Sequence, residues 1–193
     1  MRLAILDRGH SLGTKVLFLL IRAASRQPVL DVIKLVKYRA DFYGTPMQGV
    51  TQEAMRGPSA WSVADRELMA AFVAKTDECK WCTKAHAAVA EGAYRNGAIV
   101  SAVLSDLETA TIEEPLRATL RMLCTLTREH AVTGDDMRAV LAAGVSREQI
   151  EDALAVCFSF NTIGRLADAF GFLLPDPKAF EAGAKYLLAR GYR

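Results

Sequence analysis

Apolar residues recur at three- and four-residue intervals along most of the chain, the period of helices with a buried face. Long alternating β-branched runs, which would favour sheet, are scarce. The N-terminal part predicts two helices, over about 12–24 and 28–39, with Pro28 suited to a helix start. On the second, Asp31, Lys34 and Lys37 mark a polar stripe among apolar residues. Residues 41–61, "DFYGTPMQGVTQEAMRGPSAW", hold three Gly and two Pro and read mostly as a loop with one short turn of helix. A loop of that length in a compact domain is often functional.

Beyond the loop the helical pattern resumes. Ser62 reads as an N-cap with Asp65 in the first turn, opening a helix to about Lys75. Asp77 reads as the cap of the next, over about 78–95, which Asn96-Gly97 ends. Further helices are expected near 99–105, 113–129, 134–143 and 147–171, with Gly144 breaking the chain and Ser146 capping the last. Pro175 and Pro177 precede a terminal helix to about Arg190. The pattern predicts an all-α bundle with short connections. It reads as a single domain over 1–193, with N-terminal helices and a loop in 1–60 and the thiol-bearing helices in 61–100.

Composition agrees with a globular core: 51% of the 193 residues are hydrophobic and 24% charged. The net charge is only +2, but residues 1–40 carry eight Lys/Arg against two Asp, which is +6 and leaves −4 for the rest. A basic N-terminal segment suits acidic lipid, nucleic acid or a neighbouring subunit, although a solvated helix face accounts for it equally simply. No basic run is interleaved with aromatics as in a nucleic-acid surface. The run "VLFLLI" at 16–21 is too short to span a bilayer and makes a poor signal peptide. A cytoplasmic protein is therefore expected, with no membrane or nucleic-acid partner, and there four cysteines are not expected as static disulfides.

The chemistry concentrates in "ECKWCTKAH", residues 78–86. With Cys79 in the first turn of a helix, Cys82 lies about 60° around and His86 falls between them, so all three share one face. A thiol pair at this spacing can form a disulfide. Four residues on, His86 can reach the Cys82 sulfur and take its proton, and the helix N-terminus favours a thiolate. Cys82 is accordingly expected to attack, and Cys79 to resolve the oxidised sulfur to a disulfide. Glu67 on the preceding helix has Ala70, Ala71 and Ala74 at helical spacing, a face of small residues suited to close helix packing. Partly buried there, it is expected to hold a raised pKa and relay protons to His86, the plainer alternative being an exposed first-turn glutamate.

The pattern Glu67, eleven residues, Cys79-Lys80-Trp81-Cys82, three residues, His86 resembles the signature of AhpD-like alkylhydroperoxidases of the carboxymuconolactone decarboxylase superfamily. "SVADRELMAAFVAKTDECKWCTKAHAAVA" and "FNTIGRLADAFGF" resemble its peroxidase-related branch. The resemblance implies a compact helical bundle, a homo-oligomer, hydroperoxide as substrate, and an external dithiol or protein electron donor. It places attack on Cys82, resolution on Cys79 and proton handling on Glu67 and His86, with no cofactor and no metal. Trp81 departs from the best-known members, which carry a second histidine there. The decarboxylase branch lacks the thiol pair.

Three other readings stand beside this one, the first a disulfide reductase or isomerase acting on proteins, which would need an accessible thiol. Cys79, Cys82, His86 and Glu67 offer four zinc ligands, without the second Cys or His pair that usually closes a structural site. The thiols could also serve a non-enzymatic redox sensor or an oligomeric stress protein. Cys124 and Cys157 read as core residues, His130 as a helix-end residue, and His10 as part of a flexible segment. On the helix over 147–171, Arg165 and Asp168 are spaced to pair, and Asn161 and Arg165 are candidates to approach the thiols.

Overall fold

The computed structural model describes residues 1–192. Eleven α-helices and one π-helical turn, with no strand, make up the described residues. They are α1 (Ile5–Arg8), α2 (Leu12–Ser25), α3 (Asp31–Tyr38), the π-turn Ala40–Gly44, α4 (Thr45–Arg56), α5 (Val63–Thr76), α6 (Lys80–Tyr94), α7 (Gly97–Ser105), α8 (Glu114–Glu129), α9 (Gly134–Ala142), α10 (Arg147–Phe170) and α11 (Pro177–Arg190).

The bundle is built around α5. Its residues Ala64, Arg66–Ala74 are all buried, so the helix has no solvent face. Such a helix is held by neighbours on every side: α6 packs along it, and α4, α7, α8 and α10 close the rest. Ala70, Ala71 and Ala74 are fully buried, as the small-residue face required. Leu68, Met69 and Val73 join Met55, Val100, Leu120, Leu123, Val156 and Phe160 in the main core. Ser62 and Asp65 form a reciprocal capping box that fixes where α5 begins, and Ser146 with Gln149 does the same for α10.

Three departures from the sequence pattern matter for the site. Residues 45–56 are a full helix rather than a loop. Pro46 sits in the first turn, where its missing N–H costs nothing, and Thr51, Ala54 and Met55 form the buried face. Asp77 does not cap α6; Cys79 is the N-cap, its carbonyl accepting from the Thr83 amide at 3.0 Å. Arg95 ends α6 in a left-handed conformation, and Asn96 opens α7, its Oδ1 accepting from the Ala98 amide. His10 is not on a flexible tail but buried edge-on against Phe18. The helix α2 has no buried side chain, and its Leu12 is 79% exposed. No helix among the described residues is long and apolar enough to cross a membrane.

Candidate active site

The thiols lie at the turn from α5 into α6. The chain reverses there through Glu78, whose φ of +59° is unusual for a residue with a Cβ. The Cys79 amide then donates to the Ala74 carbonyl at 2.9 Å, which leaves Cys79 at the head of α6 and Cys82 in its first turn. Both are reduced and have 0% exposure, enclosed by Ala74, Trp81, Ala167 and Phe180. On α10, Gly164 admits this turn: a Cβ there would sit 3.3 Å from Asp77 Oδ2 and 3.6 Å from Cys79 Cβ.

The two sulfurs behave as one acid. The hydrogen bond from the Cys82 thiol draws the Cys79 thiol below the ordinary range, against burial and the Asp168 carboxylate, with the Cys82 amide adding to the pull. The same hydrogen bond, with burial, pushes Cys82 far above it. A negative charge placed on the pair therefore rests first on Cys79, at the positive end of α6, with the remaining proton on Cys82.

Glu67 is the hub of a second cluster. Its carboxylate is completely buried and accepts at both oxygens. Arg56 Nη2 donates to Oε1 at 2.7 Å, His86 Nδ1 lies 2.9 Å from Oε2, and the Tyr192 hydroxyl donates at 2.9 and 3.1 Å. Burial opposes ionisation, but the hydrogen bonds and positive charge from His86 and Arg56 prevail and hold the carboxyl below its ordinary range. Burial and the Glu67 charge push the Tyr192 phenol well above its own, so it stays a donor. The expected raised pKa of Glu67 is thus overturned, by His86 first and by Arg56 after it. With Nδ1 engaged by the carboxylate, Nε2 is the ring nitrogen left for other partners.

The structure joins Glu67 with His86, and Cys79 with Cys82. It does not put the imidazole on a sulfur: among the described residues no hydrogen bond links His86 to either thiol, because the ring is turned toward Glu67 and packs edge-on against Phe160. No group of three or more His, Cys, Asp or Glu side chains converges as a metal site among the described residues, so the four candidate zinc ligands remain two pairs. On α10 the residue that reaches the thiols is Asp168 rather than Asn161, whose Nδ2 donates to Cys157 Sγ at 3.1 Å. Arg165 acts electrostatically on Asp77, and it forms no ion pair with Asp168.

Arg56 and Tyr192 escaped the sequence reading. Arg56 falls in the segment that looked like a loop. Tyr192 follows α11, and only Gly191 signals its return: φ +70°, ψ −154° is glycine territory, and a Cβ there would meet Gln52 Oε1 at 2.5 Å. The same Gln52 oxygen accepts from the Tyr192 amide at 2.7 Å. Tyr192→Phe removes a donor from a buried carboxylate and is expected to cost about 1.5–3 kcal/mol in denaturant unfolding, the worth of a hydrogen bond to a charged group. A loss below ~0.5 kcal/mol would show that Arg56 and His86 satisfy Glu67 unaided.

Two solved structures share this arrangement of helices. One is an uncharacterized peroxidase-related protein from Ralstonia eutropha JMP134, described as an alkylhydroperoxidase AhpD core, with a TM-score of 0.75 over 91% of this chain and 92% of that one at 18% identity. The chain has the AhpD-like fold. The other is an uncharacterized peroxidase-related protein from Silicibacter sp. TM1040, with a TM-score of 0.73 over 85% of each chain at 21% identity. At these identities the likeness speaks for the AhpD-like fold and not for an activity. No family model and no curated protein sequence matches the chain.

Proposed function

We infer that the protein is a thiol-dependent peroxidase that reduces alkyl hydroperoxides through Cys79 and Cys82. The observation that carries this reading is the pair itself: two free, buried thiols at the N-terminus of one helix, on a fold also found in peroxidase-related proteins. The pair first gives one proton to His86; Cys79 is the more acidic thiol, and the charge passes to Cys82 as the remaining proton crosses to Cys79. Cys82 then attacks the distal peroxide oxygen, the O–O bond breaks, and the alkoxide leaves with a proton from His86. Glu67, ionised, stabilises the imidazolium that supplies it. Cys79 displaces water from the Cys82 sulfenic acid to give the disulfide. In sum, a dithiol and ROOH become a disulfide, ROH and water, and an external dithiol or protein donor restores the thiols.

Burial of both sulfurs argues against disulfide exchange with large protein substrates, which needs an accessible thiol. The exposed Leu12, Leu19 and Leu20 of α2 support a homo-oligomer. The test is intact mass under non-reducing conditions after a stoichiometric hydroperoxide pulse. Loss of two hydrogens, mapped to Cys79 and Cys82 and reversed by a dithiol with repeated turnover, is expected. A single slow oxidation without turnover would favour the redox sensor, and thiols inert to hydroperoxide would exclude both.

A further inference from the structure

A cavity of about 700 Å³ is bounded by α2, α3, α4, α6, α10 and α11. Its walls are aliphatic and aromatic nearly throughout, with Leu17 and Ile21 contributed by α2 and Ile163 by α10. A small hydroperoxide, only a few times the ~30 Å³ share of a water molecule, would leave it almost empty. Its size falls within the ~300–1,000 Å³ of pockets that enclose whole organic ligands.

Ser25, Gln27, Gln48 and Thr51 add neutral polar groups to the lining, and three further features suit a particular ligand. His86 and Tyr192 bring the edge of the Glu67 cluster to the cavity surface. Trp81, only 6% exposed, also lines it, and its indole Nε1–H has no acceptor among the described residues. An unmade hydrogen bond in a dry site is costly, so the indole suits an oxygen-bearing ligand. Lys37 is exposed, forms no ion pair among the described residues, and is the sole lysine, arginine or carboxylate on the lining. A ligand matched to this set has a long hydrocarbon chain, an anionic end for Lys37, and an oxygen function on the chain for Trp81 and His86.

We propose that the cavity binds a long-chain fatty acid and that the peroxidase substrate is its chain hydroperoxide. The substrate half of this rests on the thiol-peroxidase reading; the binding half does not. The carboxylate sits at Lys37 and the chain lies along α2, α3 and α11. The hydroperoxide is reduced to the chain alcohol, with release of water, as the dithiol closes to the disulfide and an external dithiol reopens it. Trp81, Phe172 and Phe180 line the cavity and also pack the cluster that holds the thiols, so the peroxide reaches sulfur past the Trp81 ring.

Oleate, which cannot oxidise a thiol, separates the two halves. It is titrated into the reduced protein by calorimetry and by tryptophan emission. Of the two tryptophans, Trp61 already donates to the Gln149 carbonyl at 2.8 Å, so an emission change reports Trp81. One oleate per chain is expected, weakened about tenfold by Lys37→Glu, a substitution at an exposed position that leaves the core intact. Linoleic acid hydroperoxide is expected to exceed tert-butyl hydroperoxide in kcat/KM, with the difference lost in Lys37→Glu. No saturable oleate binding would overturn the proposal even if tert-butyl hydroperoxide is turned over. Binding unaffected by Lys37→Glu would overturn the placement of the carboxylate. Oleate binding with thiols inert to every hydroperoxide would uphold the site and refute the peroxidase.

Discussion

Glu67→Gln is expected to destabilise the protein by about 3 kcal/mol, near the low end of the ~3–5 kcal/mol seen when one member of a buried ion pair is removed. The amide keeps the shape but removes the charge that Arg56 faces and turns a donor toward groups that are themselves donors. The low end applies because Arg56 retains the Met55 and Leu187 carbonyls as partners. Denaturant unfolding measures the loss. In a protein of this size it lowers Tm by roughly 6–12 °C, at about 2–4 °C per kcal/mol. The acid limb of the stability curve gives a second readout. A carboxyl held below its unfolded pKa contributes stability that is fully present above that unfolded value, ~4.3, and is lost as pH falls through the folded one. Wild type should therefore lose its advantage over Glu67→Gln on acidification below about pH 4.3. An advantage that grows on acidification would mean that the buried carboxyl is not ionised, and one that is the same at pH 3 and pH 7 would mean that folding does not shift it.

Cys82→Ser is expected to lower peroxide consumption by at least ~10³-fold, the scale on which enzymes lose activity without their nucleophile. Cys79→Ser should be almost as inactive in turnover but for a different reason. It removes the resolving thiol, so one equivalent of hydroperoxide should leave Cys82 as a sulfenic acid that a dimedone-type probe labels. The greater acidity of Cys79 makes this comparison decisive. If Cys82→Ser instead accumulates a labelled sulfenic acid on Cys79, the more acidic thiol is also the attacking one, and the two roles are reversed.

The helical class, the start of α5 at Ser62 and the pairing of Glu67 with His86 were all legible in the sequence, because periodicity, caps and small-residue faces are local signals. The segment around Pro46 and Gly49 was not. Glycine and proline there suggested a loop, but Pro46 occupies the first turn of α4 and Gly49 has nothing within 4 Å of where a Cβ would sit, so neither residue breaks the helix. That misreading hid Arg56, whose guanidinium adds to the pull of His86 in holding the buried carboxyl low. Tyr192 was hidden for a different reason. Its meeting with Glu67 spans 125 residues of sequence, and no local pattern reports so distant a contact. The failure of His86 to reach sulfur was equally invisible, because helical spacing fixes where a side chain starts and not which of two partners its ring faces.

The order in which the chain is made gives the Gly191–Tyr192 turn a further consequence. Arg56, Glu67 and His86 are made before the tyrosine that completes their cluster, which comes after α11. Until then Glu67 lacks one of its three partners, and the thiols lack the cover that Phe180 on α11 provides. The nascent protein therefore passes through a stage in which Cys79 and Cys82 are already made but still open to solvent and to mispairing. Pulse alkylation of ribosome-bound chains should find them reactive until α11 has emerged and packed.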